Sequence, residues 1–202
     1  MKFNMKQLGL LIALVALIVT LNSSFFWKLM YPIQYTQEVE EAATYYGVDP
    51  YLVLSVVQIE SKFKQDIFSK KGAAGLMQLM PETAQWVNEE SGLNKHPNSY
   101  IDDARSNILL GTWYISYLLQ KYDNDHVKAI VAYNAGQGHV DRWLSEGVWD
   151  GTEHRLDQIP FGETRHYASR VLYYLARYQN IYENEFAGNQ ELIFHTRIDV
   201  QD

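Results

Sequence analysis

The sequence predicts a mainly α-helical domain preceded by one apolar N-terminal helix, and three observations predict it. Asp and Pro recur just ahead of stretches whose apolar residues follow helical spacing. No alternating apolar run of useful length occurs before Glu191 to Val200, so strand signals are sparse. A long apolar run near the N-terminus stands apart from everything that follows it.

That first segment reads as a targeting element. Met1 to Gln7 carries Lys2 and Lys6 and no acid, and Leu8 to Leu21 is apolar apart from Gly9 and Thr20. Asn22-Ser23-Ser24 is the only small polar patch, after which Phe25, Phe26 and Trp27 resemble an interfacial aromatic belt. Leu8 to Trp27 is 20 residues, and about 20 span a bilayer. No convincing small-x-small cleavage site follows, which favours an uncleaved signal-anchor over a cleaved signal or a buried helix. Lys2 and Lys6 outweigh Lys28, so residues from about Tyr31 onward are expected on the extracytoplasmic side of the cell membrane, or secreted if the segment is cleaved. No cysteine follows the run, so lipid anchoring is not available.

Beyond residue 30 the elements follow in order. Asp49-Pro50 reads as N-cap and first helical position of a helix reaching about Ser61. Pro81 opens another through Trp86. Arg105 to Tyr122 places Ile108, Leu109, Trp113, Leu118 and Leu119 at helical spacing, and Asp125 is suited to cap a helix through Ile130 to Tyr133. Glu163 to Tyr182 is the last long helix. Ser91 to Asp102, with Gly92, Asn94, Pro97 and Asn98, reads as a surface loop. The expected organisation is an anchor and cytoplasmic stub over 1–30, one domain over 31–182, and a tail over 183–202 with no assignable role.

Composition narrows the function. The 202-residue chain has no cysteine, which removes disulfides, thiolate metal sites and cysteine nucleophiles. About 170 residues remain for the domain, enough to bury roughly 70% of the unfolded surface without a metal or disulfide staple. Seventeen Lys and Arg against 24 Asp and Glu give a formal charge of −7, which repels phosphate backbones and argues against a nucleic-acid partner. Fifteen Tyr and 5 Trp make the chain rich in rings, suited to a Tyr-rich core and, for some of them, to stacking on sugars.

Four segments carry candidate chemistry. Glu60 lies three, four and seven residues after Val57, Val56 and Val53, on their helical face. A carboxyl there is desolvated, either as a buried group satisfied by hydrogen bonds or as a general acid held protonated near neutral pH. Ser69 to Gln78 places Gly72 and Gly75 where a backbone passes close to something, but lacks the strand and the Gly-Lys-Ser/Thr of a phosphate loop. Ala132-Tyr133-Asn134-Ala135-Gly136 reads by itself as a helix C-cap. In Glu163-Thr164-Arg165-His166-Tyr167, Glu163 and Tyr167 share a face at a helix start.

Taken together, these segments resemble the catalytic domain of the soluble lytic transglycosylases, relatives of goose-type lysozyme. The resemblance runs through Glu60-Ser61, Gly72-Ala73, Gly75-Leu76-Met77-Gln78-Leu79-Met80-Pro81, Thr83-Ala84, Asn107-Ile108 with Gly111, Tyr114 and Leu118-Leu119, then Ala132 to Gly136, Ile159-Pro160-Phe161, Glu163-Thr164-Arg165 and Tyr167. It covers roughly Gln34 to Tyr178. It implies a lysozyme-like helical fold and peptidoglycan glycan strands as substrate, without metal or cofactor. It also implies Glu60 as single acid and base, with Ser61 following it. Ser69 and Gln78 would lie in the groove, Met77 would line its floor, Tyr133 and Asn134 would hold the N-acetyl sugar, and Tyr167 would lean toward Glu60. The implied product is a 1,6-anhydromuramic acid end. A hydrolytic lysozyme and an idle wall-binding scaffold are the competing readings, and protein partners leave no signal.

Overall fold

Two units make up the chain, Met1–Ile33 and Gln34–Asp202. The structure, a computed structural model, describes residues 4–21, 23–96 and 98–186. The Glu191–Val200 alternation and the tail after Phe186 lie outside the described residues, as do Met1 and Lys2.

In the first unit the expected single span from Leu8 to Trp27 is broken. Helix α1 runs Met5–Leu21 and α2 runs Ser24–Met30, with a bend of 64° between them. Two side chains favour the break. The Ser23 hydroxyl caps α2 by accepting from the Phe25 N–H, and the Trp27 indole N–H donates to the Leu21 carbonyl at 2.8 Å, satisfying one of the orphan acceptors at the end of α1. Trp27, expected as an interfacial ring, therefore serves as a cap. No single helix among the described residues is long and apolar enough to cross a membrane; α1 and α2 together meet the length and composition.

The second unit is helical throughout, with no strand among the described residues beyond the isolated bridges Phe68–Ala74 and Ala74–Leu79. Its first helix, α3 (Thr36–Tyr46), is not announced by a cap residue in the sequence. Tyr35 stands at its N-cap in the left-handed region, and α3 forms because Val39, Ala42 and Ala43 bury one stripe. Helix α4 (Pro50–Glu60) starts as expected: the Asp49 carboxylate accepts from the Tyr51 N–H at 2.8 Å with Pro50 in the first turn. Pro50 to Val57 are all buried, so α4 is the central helix of the core.

Helix α5 (Pro81–Glu90) extends one turn past Trp86. The Ser91–Asp102 segment is less irregular than expected, since it ends in a four-residue helix, α6 (Ser99–Asp102). Asp103 then caps α7 (Ala104–Lys121) through the Arg105 and Ser106 N–H groups, and Asp125 caps α8 (His126–Ala135) through Val127 and Lys128. Helix α9 (Gln137–Ser145) follows Gly136 directly, a 3₁₀ segment spans Glu153–Gln158, and α10 (Gly162–Ile181) closes the unit. Helix α10 packs on α4 and α8, while α7 packs on α3 and α8. The core between them includes Leu52, Leu54, Leu118, Trp149 and Tyr178, all under 2% exposed. Each large apolar side chain so buried contributes about 1.5–3 kcal/mol.

Candidate active site

Packing of α10 and α8 beside α4 brings three separate sequence segments to the Glu60 carboxyl. Glu60 is the last residue of α4. It keeps partial solvent access, yet its pKa rises from 4.5 to about 7. Burial is the largest cause; the nearby Glu163 charge adds to it, and the Tyr167 hydroxyl opposes it by hydrogen bonding to the carboxyl. The negative end of the α4 dipole acts in the same direction as burial. Near neutral pH, Glu60 thus retains a proton that an ordinary glutamate has lost.

The groups facing it are phenols. Tyr133 and Tyr167 are both pushed well above the ordinary tyrosine value, by burial first and by the Glu60 charge second, so both stay neutral donors. The Tyr133 hydroxyl donates to the Met77 carbonyl at 2.9 Å. The Tyr167 hydroxyl is buried and faces the Glu60 carboxyl, with the Tyr133 phenol also near it. It is a donor aimed at the carboxyl and free to follow its protonation state. Tyr167→Phe should therefore shift the basic limb of the pH–rate profile upward, because the interaction removed is one that lowers the Glu60 pKa. A limb that stays in place would detach Tyr167 from the acid.

Asn134 lies near the end of α8, where Gly136, at φ 84°, stops the helix. Its Oδ1 accepts a hydrogen bond from the buried Thr164 hydroxyl at 2.7 Å, which fixes the amide and leaves its N–H₂ directed away from that contact. Asn134 and Ala135 line two adjoining cavities. One of about 200 Å³ is bounded by Gln78, Met80, Tyr114, Tyr133 and Gly136. The other, about 240 Å³, is bounded by Lys71, Phe161, Glu163 and Thr164. Glu60 is coupled electrostatically to a wall residue of each, Tyr133 and Glu163. A third cavity of about 900 Å³ lies between α3 and α7, around Glu41, Tyr45, Lys95 and Arg105, and contains none of these groups.

The loop before α5 is held from beneath. Asn107, 1% exposed on α7, accepts from the Met77 N–H at 2.8 Å and donates to the carbonyls of Ala74 at 3.1 Å and Tyr100 at 2.6 Å. Gly75 sits against it at φ 78°, where a Cβ would stand 2.2 Å from the Asn107 amide nitrogen. Only glycine fits there. Met77 fills the space over Gly111, whose Cβ would meet the Met77 sulfur at 2.4 Å.

The sequence-predicted residues therefore divide. Glu60, Tyr133, Asn134 and Tyr167 converge, and Gln78 borders the first cavity. Its backbone is in the left-handed region (φ 46°) and its amide N–H₂ donates to the Ile67 and Gly75 carbonyls. Ser61, Ser69 and Met77 are placed as scaffold. Ser61 is buried and donates to the Val57 carbonyl, Ser69 staples its loop by accepting from the Lys71 and Ala73 N–H groups, and Met77 is fully buried, behind the floor it was expected to line. Thr164 and Asn107 lie in the motifs that carry the resemblance, but the sequence assigns neither a role. A threonine and an asparagine near helix starts read as solvated polar residues until their buried partners are known.

A family model for the transglycosylase SLT domain matches residues 37–155. The soluble lytic murein transglycosylase of Salmonella typhimurium is 35% identical over 144 residues, covering 69% of this chain and 21% of that protein. The membrane-bound lytic murein transglycosylase C of Photorhabdus laumondii is 37% identical over 121 residues, covering 55% and 34%. The crystal structure of the 70 kDa soluble lytic transglycosylase of Escherichia coli superposes with a TM-score of 0.72 at 29% identity, covering 77% of this chain and 25% of that one. This chain thus spans about a fifth to a third of the length of these relatives.

Proposed function

We propose, since the chain belongs to the transglycosylase SLT domain family, that it cleaves the β-1,4 bond between N-acetylmuramic acid and N-acetylglucosamine in peptidoglycan without consuming water. The observation that carries this reading is Glu60, a carboxyl with its pKa raised to about 7 and two neutral phenols beside it, while Glu163 nearby is exposed. Glycosidases with one carboxyl fit the exception in which the substrate's own N-acetyl group takes the second role.

Glu60 serves as acid and then as base. Protonated Glu60 gives its proton to the glycosidic oxygen as the bond from that oxygen to C1 of muramic acid breaks. The acetamido oxygen stabilises the cation at C1. The Glu60 carboxylate next takes the proton of the same sugar's 6-hydroxyl, which bonds to C1 and closes the anhydro ring, and the enzyme is restored. Tyr167 tracks the carboxyl by hydrogen bonding, Asn134 and Tyr133 hold the N-acetyl sugar, and Gln78 borders the groove. Ser61, Ser69 and Met77 act through the backbone they hold.

Proximity favours the internal hydroxyl, which is present at high effective concentration on the ring it attacks. Products from purified peptidoglycan should be one water lighter than lysozyme products of equal composition and should resist borohydride. Products that accept borohydride and carry oxygen from labelled water would make the reaction hydrolytic.

The proposed location is extracytoplasmic and membrane-associated. The apolar, lysine-flanked α1 and α2 support it, and a relative described as membrane-bound is consistent with it. Residues 1–30 would then be the anchor and 31–182 the catalytic domain. Residues 31–202 alone should be soluble and active, while the full chain stays with membranes through a carbonate wash; a soluble full chain would remove the anchor.

A further inference from the structure

The Tyr-rich region that closes the first cavity does not stop at the site. Tyr133 meets Tyr114 at 5.3 Å between ring centroids, Tyr114 is nearly parallel to Tyr117 at 6.5 Å and 15°, and Tyr117 is nearly parallel to Trp113 at 5.7 Å and 10°. Trp86 of α5 stands edge-on to Tyr117 at 5.0 Å and to Trp113 at 5.5 Å. Trp86, Trp113 and Tyr117 are all partly exposed, unlike Tyr114, which is buried where it lines the cavity. The Tyr117 hydroxyl donates to Gln137 Oε1 at 3.2 Å, next to Gly136 on the same cavity wall, and Trp86 follows one turn after Thr83, another wall residue. These contacts make the aromatic cluster an outward continuation of the groove.

The geometry points to a distal sugar subsite at Trp86, Trp113 and Tyr117, which binds a sugar of the glycan strand beyond those held at Asn134 and Tyr133. This rests on the glycan-cleaving reading of the groove. A β-1,4-linked pyranose presents faces of axial C–H bonds, which pack on flat aromatic rings, while its hydroxyls stay solvated at the rim; partly exposed Trp rings with one polar edge suit such a guest. The four aromatic and amide side chains concerned, those of Trp86, Trp113, Tyr117 and Gln137, carry no charge, as suits the uncharged N-acetylglucosamine of the strand. The consequence is a preference for long strands, since a short one reaches the acid without reaching the rings.

Trp86→Leu and Trp113→Leu keep apolar bulk and remove the flat face. With peptide-free glycan strands sorted by length, each should lower kcat/KM on long strands about tenfold, the size of one lost ring contact, through KM. On a tetrasaccharide each should match wild type. Equal loss on both lengths together with a lower melting temperature would make the rings core packing and overturn the subsite, as would unchanged length preference. Tryptophan fluorescence of Glu60→Gln titrated with the same strands tests binding without turnover. A wild type that cleaves nothing while its Glu60→Gln form binds long strands through Trp86 and Trp113 would sink the reaction and keep the subsite; no length-dependent fluorescence change would sink the subsite and leave the reaction standing.

Discussion

Glu60→Gln is expected to lower glycan cleavage by more than about 100-fold, the lower range for loss of a general acid. The amide is nearly the same size, so α4 and its packing against α10 should persist. It cannot deliver a proton, and the remaining nearby carboxyl, Glu163, is exposed and faces Glu60 only through its charge. The same substitution carries a stability signature. The Glu60 pKa is raised on folding, from 4.5 to about 7. Its contribution to stability is therefore fully present below pH 4.5 and is lost as pH rises through about 7, because the folded protein must bury the charge. Glu60→Gln should melt with wild type in acid and above it at pH 8, while wild-type activity falls above about pH 7. A variant that retains activity near wild type removes Glu60 from its role; one that melts lower at pH 8 means that the carboxylate is stabilised rather than strained in place.

Asn107→Ala is expected to have the largest effect on stability. The Asn107 amide satisfies three backbone groups, the N–H of Met77 and the carbonyls of Ala74 and Tyr100. Truncation leaves the Met77 N–H and the Tyr100 carbonyl without a partner, at about 1–3 kcal/mol for each group, while the Ala74 carbonyl keeps the Leu79 N–H at 3.0 Å; it also opens a hollow beside Gly75. A loss of at least about 3 kcal/mol should lower the melting temperature by roughly 10 °C in a domain of this size. The damage reaches the site in turn, since Met77 supplies the carbonyl that orients Tyr133. Asn107→Asp retains the acceptor for Met77 but lacks the amide donor and introduces a buried charge, so it should not rescue. A normal melting temperature for Asn107→Ala would show that the loop is held by Gly75 and Tyr133 without it.

Local signals carried most of the element boundaries. Asp49-Pro50, Pro81 and Asp125 act within one turn of themselves, and each opens a helix where its capping chemistry says it should. Helix α3 lacks such a signal and was missed, because its stability comes from a buried stripe and not from its ends. The 20-residue apolar run was legible as helical, but its bend was not, because the Ser23 cap and the Trp27 bond to Leu21 compete with a continuous helix only once the backbone there is in place.

The sequence by itself determined the helical class, the extracytoplasmic expectation and, through the ordered motifs around Glu60, Gln78, Asn134 and Tyr167, the family. It determined these because capping and periodicity act over a few residues and motif order survives without coordinates. Only the tertiary structure decided which motif residues face the groove and which lie behind it. Spacing places Ser61 beside Glu60, but the packing of α4 turns its hydroxyl to the Val57 carbonyl; it likewise sinks Met77 beneath the floor and makes Thr164 and Asn107 the holders of Asn134 and the Gly75 loop. The raised Glu60 pKa belongs to the same class. Desolvation is a property of everything that surrounds a carboxyl, and here that surrounding includes Tyr133 of α8 and Tyr167 of α10, both far later in the chain.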